Sequence, residues 1–169
     1  MSDERTRGVL DTSTLILLGR LTDVATLPDE PMITAVTLAE LSVGPLVARN
    51  DADRIARQSV LQQVEADFDP IPFDASAARA FGRVAAQLRA SGRKTSARAY
   101  DVLIAATAVA HGLPVYTRNP DDFAGIDALV VVAVESGSWS RPRSPGPITG
   151  CRRPRWRGRP AKPPTTRAG

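Results

Sequence analysis

Several residue types that build common functional sites are scarce in this 169-residue chain, which has one cysteine, one histidine and only two lysines. The single cysteine, Cys151, excludes an intramolecular disulfide and a metal site built mainly from thiolates. A metal ion bound here would need oxygen ligands, which magnesium and manganese prefer. The lone histidine, His111, precedes Gly112 at the expected end of a helix, where a capping role fits better than general-base catalysis.

Long apolar runs and glycine-rich phosphate loops are absent as well. No segment approaches the roughly 20 apolar residues that a helix needs to cross a bilayer. Residues 1–8 are polar and lack the apolar segment of a signal peptide. We therefore expect a cytoplasmic protein that does not bind membranes. Because no glycine-rich loop is followed by lysine, a nucleotide-hydrolysing or dinucleotide-binding enzyme is disfavoured.

The excess of positive charge lies at the end of the chain. Residues 137–169 contain nine of the 22 Lys and Arg residues, seven of the 14 prolines and both tryptophans, but none of the 18 acidic residues. The remaining 13 basic residues face all 18 acidic ones in residues 1–136, a net charge of −5. We predict a folded domain at 1–136 and a disordered tail at 137–169, because the tail has too few apolar residues to offset the entropy of ordering. A solvated extension is the favoured interpretation of the tail; an arginine-rich arm attracted to phosphate is the alternative.

Apolar runs alternate with amphipathic stretches between residues 9 and 134. The first strand is predicted to end at Asp11, and four further strands are predicted at 32–35, 70–73, 115–117 and 129–134. Helices are predicted near 12–21, 37–43, 51–66, 75–91 and 99–111, with Thr12 or Ser13, Asn50 and Asp74 as N-caps. This alternation indicates an α/β domain with a parallel sheet covered on both faces. Such sheets bind ligands at the carboxyl ends of their strands.

Three carboxylates stand at such ends or beside them. Asp11 terminates the apolar run of the first strand, Glu40 lies in the helix after the second, and Asp101 shares a helix face with Ile104 and Ala105. Each alone has a simpler explanation: a helix cap for Asp11, a partly exposed position for Glu40 and a dipole-favoured charge for Asp101. Their combination favours a shared partner, because burying an unpaired carboxylate costs several kcal/mol.

A fourth polar cluster, residues 117–123 (TRNPDDF), follows the fourth strand. Oxygen ligands from four segments suit a hard divalent cation. Two such ions, roughly 4 Å apart, can activate a water and stabilise the leaving oxygen during cleavage of a phosphodiester. The residues therefore predict metal-assisted chemistry on a phosphodiester.

Residues 8–134 resemble the PIN domain of VapC-type toxins through four segments: 9–13 (VLDTS), 39–41 (AEL), 101–108 (DVLIAATA) and 117–123. The resemblance implies a three-layer α/β fold with a five-stranded parallel sheet. It also implies cleavage of RNA that depends on Mg²⁺, with Mn²⁺ as a substitute, and metal ligation by Asp11, Glu40 and Asp101. The implied partners are a cognate antitoxin and a second copy of the chain, as a homodimer.

The fourth acidic position departs from the pattern of the family. Many PIN domains have an aspartate two residues after the strand-end threonine, where this chain has Asn119. Asp122 is a nearby carboxylate that can supply the missing charge. We keep both as candidate catalytic residues beside the three acidic positions and place Asn119 first, for its proximity.

Other functional classes fit less well. A phosphatase of the haloacid-dehalogenase kind needs a second aspartate where Ser13 stands, and a receiver domain needs a lysine after a late strand, where neither Lys94 nor Lys162 lies. The alternative that stays open is a non-catalytic PIN-like module that binds RNA or a protein. The three intact acidic positions favour the enzyme.

Overall fold

The computed structural model describes residues 6–18, 26–92 and 99–134. Their secondary-structure elements are β1 (Arg7–Leu10), α1 (Thr12–Leu17), β2 (Glu30–Met32), α2 (Ala35–Leu46), α3 (Asp51–Asp67), α4 (Ala75–Ala90), α5 (Ala99–Ala110), β3 (Val115–Thr117) and β4 (Val131–Ala133). A 3-10 turn, Pro120–Phe123, lies between β3 and β4. The predicted tail at 137–169 and the domain boundary before it lie outside the described residues, as does the predicted extension of α1 to residue 21.

The four strands form one parallel sheet in the order β2–β1–β3–β4. In the centre of this sheet, Val9 of β1 pairs with Met32 on one side and with Val115 on the other. Helices separate consecutive strands up to β3, as parallel connections require. Because β1 and β3 are direct neighbours, their carboxyl ends meet, which brings Asp11 close to Thr117 despite their separation in sequence.

The sheet of the described residues has four strands, which corrects the expected five. The predicted strand at 70–73 pairs only at Ile71, which forms an isolated parallel bridge with Thr34. Both backbone hydrogen bonds of Ile71 to the neighbouring segment are 2.8 Å long. The flanking Pro70 and Pro72 have no N–H group to donate, so this pairing does not extend into a ladder.

Helices cover both faces of the sheet, as the three-layer prediction requires. Successive strand residues point to opposite faces, so that Val9 and Val115 enter one core cluster while Leu10 and Tyr116 enter the other. The first cluster is completed mainly by buried residues of α4 and α5, among them Val84, Leu88, Val102, Ile104, Ala105 and Ala108. The second contains residues of the other three helices, namely Leu15, Leu41 and Val64.

The N-caps of α3 and α4 agree with the sequence analysis, and that of α1 does not. Asn50 caps α3 and accepts a hydrogen bond from the N–H of Asp53, as predicted. The cap of α1 is Asp11, whose side chain accepts from the N–H of Thr12, so neither Thr12 nor Ser13 has this role. The helix thus begins directly at the end of β1, which leaves the hydroxyls of both residues available for other contacts.

Asp74 caps α4, also as predicted. The Asp74 carboxylate accepts hydrogen bonds from the Ser76 hydroxyl and from the N–H of Ala77. These bonds lower the pKa of Asp74 below its ordinary value of 3.8, and the bond from Ser76 has the larger effect. His111 contributes weakly in the same direction. Across the described ranges, no helix combines the length and the apolarity needed to cross a bilayer.

Candidate active site

We call the carboxyl ends of β1 and β3, with the polar residues that follow them, the polar edge of the sheet. Asp11 is buried at its centre. Its backbone N–H donates to the carbonyl of Tyr116 at 3.0 Å, which holds it between the carboxyl ends of β1 and β3. The residue is only 5% exposed. Its extended backbone conformation, with φ −67° and ψ 155°, ends the strand and turns the side chain onto the first turn of α1.

Three donors contact the carboxylate of Asp11. Oδ1 accepts from the N–H of Thr12 at 2.7 Å, and Oδ2 accepts from the hydroxyls of Ser13 at 2.7 Å and Thr117 at 3.0 Å. A buried carboxylate needs such bonds to replace those it had with water. These donors are a backbone amide and two hydroxyls, which orient the carboxylate without cancelling its charge.

Glu40 belongs to the same network. It lies half-buried on α2, and its Oε2 accepts from the hydroxyl of Thr12 at 2.6 Å. Since the backbone N–H of Thr12 donates to Asp11, one residue contacts both carboxylates. The structure therefore brings two of the three predicted acidic ligands together, through a residue that the sequence analysis treated only as a possible cap.

Asp101 lies in the first turn of α5, where it is half-buried. The helix beyond it is held close to the sheet by small or branched side chains, and both Ile104 and Ala105 are 0% exposed. Within the ranges that the structure describes, no three acidic, histidine or cysteine side chains stand close enough together to hold an ion. The assignment of Asp101 as a third ligand stays a prediction.

The loop after β3 is tied to the network through Thr117, a fully buried residue. The N–H of Asn119 donates to the hydroxyl oxygen of Thr117 at 3.0 Å, and the N–H of Asp122 donates to the carbonyl of Asn119 at 3.0 Å. Phe123, 1% exposed, anchors the 3-10 turn in the core. Asn119 is exposed and Asp122 is half-buried. Both lie in the loop that follows Thr117, whose hydroxyl donates to Asp11.

The donor chemistry of this edge fits a hard divalent cation, because the side-chain atoms in the network are all oxygens. Sequence reasoning treated Thr12 and Ser13 only as possible caps, and it placed Thr117 in the fourth polar cluster without giving its hydroxyl a role. A usable signal was present: two consecutive hydroxyl residues follow Asp11, and Thr117 places a third on a buried strand end. Hydroxyls next to a buried carboxylate are its natural donors.

Comparisons with known proteins identify the family of this chain. A family model of the PIN domain matches residues 9–129. Ribonuclease VapC5 of Mycobacterium tuberculosis is 43% identical over 136 residues, which cover 79% of this chain and 98% of that protein. Ribonuclease VapC1 of Rickettsia felis is 30% identical over 131 residues, covering 76% of this chain and 96% of that protein.

A solved structure gives the same relationship. The crystal structure of VapBC-5 from Mycobacterium tuberculosis, described as a member of the VapBC family of toxin-antitoxin systems, contains a chain with a TM-score of 0.67 and 41% sequence identity. The alignment covers 76% of this chain and 99% of that one. With its PIN-domain match over most of its length and its identity to nearly complete relatives, the chain belongs to the PIN-domain family and, within it, to the VapC ribonucleases.

Proposed function

We propose that this protein is the toxin of a toxin-antitoxin pair and acts as a metal-dependent ribonuclease that hydrolyses phosphodiester bonds in single-stranded or structured cellular RNA. The observation that carries the proposal is the hydrogen-bond network that joins Asp11, Glu40 and Thr117 at the carboxyl ends of β1 and β3, in a chain of the VapC family. Parallel α/β sheets place their chemistry at this edge.

The residues that would hold a Mg²⁺ ion, or Mn²⁺ in its place, are Asp11, Glu40 and Asp101, with Asn119 or Asp122 completing the site. When bound, a divalent cation activates water and neutralises charge that develops on the phosphate. The chain's own contribution is orientation. Hydrogen bonds from neighbouring backbone and hydroxyl groups hold the carboxylate of Asp11 in one position, so that it need not reorganise when a ligand arrives.

Single-stranded and looped RNA suit this edge better than a duplex does, because their backbone and bases are accessible. Residues 1–136 carry a net charge of −5, so general electrostatic attraction of RNA to the domain is weak. Arg118, exposed and next to Thr117, is a local positive charge at the site edge. We expect binding to depend on metal and on a few such side chains.

Cleavage of a labelled single-stranded RNA tests the activity. The purified chain should cut in Mg²⁺ or Mn²⁺ and stop in excess EDTA, and Asp101→Asn should abolish cleavage while the circular dichroism spectrum is retained. Asp127→Asn, which changes an exposed loop carboxylate, is the matched control and should cut normally. Full activity in EDTA contradicts the metal mechanism. RNA binding without cleavage under all metal conditions supports the non-catalytic alternative instead.

An exposed apolar surface on α1 and α2 supports an antitoxin partner. The two helices are in contact. Ile16 is 51% exposed, Val43 44%, Leu46 85% and Val47, at the end of α2, 60%. Exposed apolar side chains on neighbouring helices are typical of a protein interface when they form one patch. We place there the apolar segment of an antitoxin encoded by a neighbouring reading frame, with a basic side chain that neutralises the acidic site.

Substitution of the most exposed of these residues tests the interface. Leu46→Glu should prevent the co-expressed antitoxin from co-purifying with the chain and from suppressing growth arrest, because the interface would then bury a charge. Val130→Glu is the matched control, since Val130 is 66% exposed but precedes β4. Loss of the complex with both variants, or with neither, contradicts this placement.

We further propose that the chain forms a homodimer in the cytoplasm. Membership of the VapC family supports both the dimer and the location. Sedimentation velocity of the purified full chain measures the oligomeric state directly. A monomer at all concentrations tested contradicts the dimer.

A further inference from the structure

Thr12 makes two contacts that no other residue of the polar edge combines in the described part of the chain. Its backbone N–H donates to Oδ1 of Asp11 at 2.7 Å, and its hydroxyl donates to Oε2 of Glu40 at 2.6 Å. The second bond joins residues 28 positions apart, on α1 and α2. Thr12 itself is 7% exposed, so water has little access to compete for its hydroxyl.

The Thr12 hydroxyl restricts the Glu40 side chain, which could otherwise adopt several rotamers. Glutamate has three rotatable side-chain bonds, and Glu40 is only half-buried, so packing alone does not restrict it to one rotamer. Asp11 is held differently, by three donors around a short side chain. A single strong hydrogen bond to Glu40 therefore sets the separation between the two carboxylates.

We propose that Thr12 is a positioning residue, which holds the carboxylate of Glu40 beside Asp11 in the arrangement that binds a divalent cation. The inference rests on the proposed function, because it concerns the same metal site. Thr12 does not need to contact the cation or the RNA for this role. Its backbone orients one carboxylate and its hydroxyl orients the other, so removal of the hydroxyl alone should release Glu40 and leave the cap of α1 intact.

Thr14 supplies a matched control in the same helix. Thr14 is fully buried, and Thr12 is nearly so. Among the described residues, the Thr14 hydroxyl is the one buried side-chain oxygen or nitrogen that has no hydrogen-bond partner. Thr14→Val therefore removes a buried hydroxyl without breaking a hydrogen bond. Thr12→Val makes the same chemical change and breaks the bond to Glu40.

Binding of Mn²⁺ to the full chain, followed by electron paramagnetic resonance of the free ion, tests the proposal without depending on catalysis. We expect Thr12→Val to weaken Mn²⁺ binding by about 10- to 100-fold, the range found for residues that orient metal ligands. Thr12→Ser keeps the hydroxyl and should restore most of the affinity. Thr14→Val should bind like the wild type. Thermal melts of each variant report whether it is folded.

A double-mutant cycle separates positioning from a general structural effect. If Thr12 acts through Glu40, then Thr12→Val should cause no further loss of Mn²⁺ affinity in a Glu40→Ala background. Should Thr12→Val fail to fold, Thr12→Ala removes the same hydroxyl and enters the same cycle. Additive losses in the cycle, or a Thr14→Val defect as large as that of Thr12→Val, overturn the inference.

The two proposals fail in different ways. A wild-type chain that binds Mn²⁺ normally, with Thr12→Val unchanged, overturns the positioning role and leaves the proposed ribonuclease standing. A wild-type chain that binds no Mn²⁺, even at millimolar concentration, and cleaves RNA in EDTA overturns the metal site and this inference with it.

Discussion

Asp11 has a structural role as well as its proposed chemical one, which matters for interpreting its variants. Its carboxylate caps α1 and accepts hydrogen bonds from Ser13 and Thr117 on the other oxygen. Asparagine is a good N-cap, but an amide cannot accept from all these donors on both sides. Loss of activity in an Asp11 variant is therefore not evidence for metal ligation unless stability is measured too.

We predict that Asp11→Asn lowers the free energy of unfolding by about 1–3 kcal/mol, because buried hydroxyl donors lose a charged acceptor. Urea denaturation followed by circular dichroism measures this. If Asp101 belongs to the proposed cluster of carboxylates, Asp101→Asn should leave stability unchanged or raise it, because it relieves repulsion between them. Equal stability of Asp11→Asn and the wild type would show that the hydrogen bonds around Asp11 contribute little.

Gly8 shows a second constraint at the residue scale. A Cβ atom at this position in β1 would collide with the ring of Tyr116, 2.6 Å from Cδ2. Tyr116 is 9% exposed and packs in the core on the neighbouring strand, so its ring cannot simply swing away. The absence of a side chain at Gly8 lets the two central strands carry this large ring.

We predict that Gly8→Ala destabilises the protein by about 1–3 kcal/mol, the usual cost of overpacking a core. Gly82→Ala is the matched control: no atom lies within 4 Å of its added Cβ, and Gly82 is inside α4. There alanine should stabilise the protein by about 0.5–1 kcal/mol, since glycine is unfavourable in a helix. Both are measured by urea denaturation, and destabilisation by Gly82→Ala would contradict the comparison.

At the scale of elements, helix beginnings respond to pH according to their capping residue. Asp74 caps α4, and hydrogen bonds from Ser76 and Ala77 lower its pKa in the folded protein. A carboxylate with a lowered folded pKa stabilises the fold above its unfolded pKa. That stabilisation is lost as the pH falls through the folded value.

We predict that the difference in melting temperature between the wild type and Asp74→Ala is largest at pH 5–7 and shrinks as the pH falls below 3.8, the ordinary pKa of the group. Thermal melts across this range measure it. Thr34→Ala is the control, because Thr34 caps α2 with a neutral hydroxyl and its difference should not follow pH in this way. A constant difference for Asp74→Ala would show that its ionisation does not matter to α4.

The folded domain is predicted to end shortly after β4, before the basic tail. The last described strand, β4, ends at Ala133, and residues 137–169 have the composition of a solvated tail. We predict that truncation at Gly137 leaves circular dichroism, melting temperature and Mg²⁺-dependent cleavage nearly unchanged. RNA affinity should become less sensitive to salt, because nine positive charges are removed.

The two tryptophans, Trp139 and Trp156, give an optical readout for the same boundary, because both lie in the predicted tail. In the full chain their emission should be that of indole in water and change little on unfolding. A blue-shifted native emission, or a large fall in melting temperature after truncation, would show that the segment packs on the domain.

Local patterns were sufficient to predict much of this protein. Features that depend on residue types within a few positions of each other were predictable. They include the α/β alternation, the caps at Asn50 and Asp74, and β3. Strands were placed less well. β2 ends at Met32, three residues earlier than expected, because Thr34 is already the cap of α2. The third predicted strand is reduced to a single bridge at Ile71, which lies between two prolines in the sequence.

The class of fold, the family and the acidic residues proposed for the chemistry could all be predicted from residue types and their spacing. The connections between these residues depend on the tertiary structure. The order β2–β1–β3 brings Thr117 to Asp11 across 106 positions, and the packing of α1 on α2 brings Thr12 to Glu40 across 28. The reason is physical: a hydroxyl has the same local signal whether it caps a helix or donates to a carboxylate, and its partner is set by which strands and helices become neighbours.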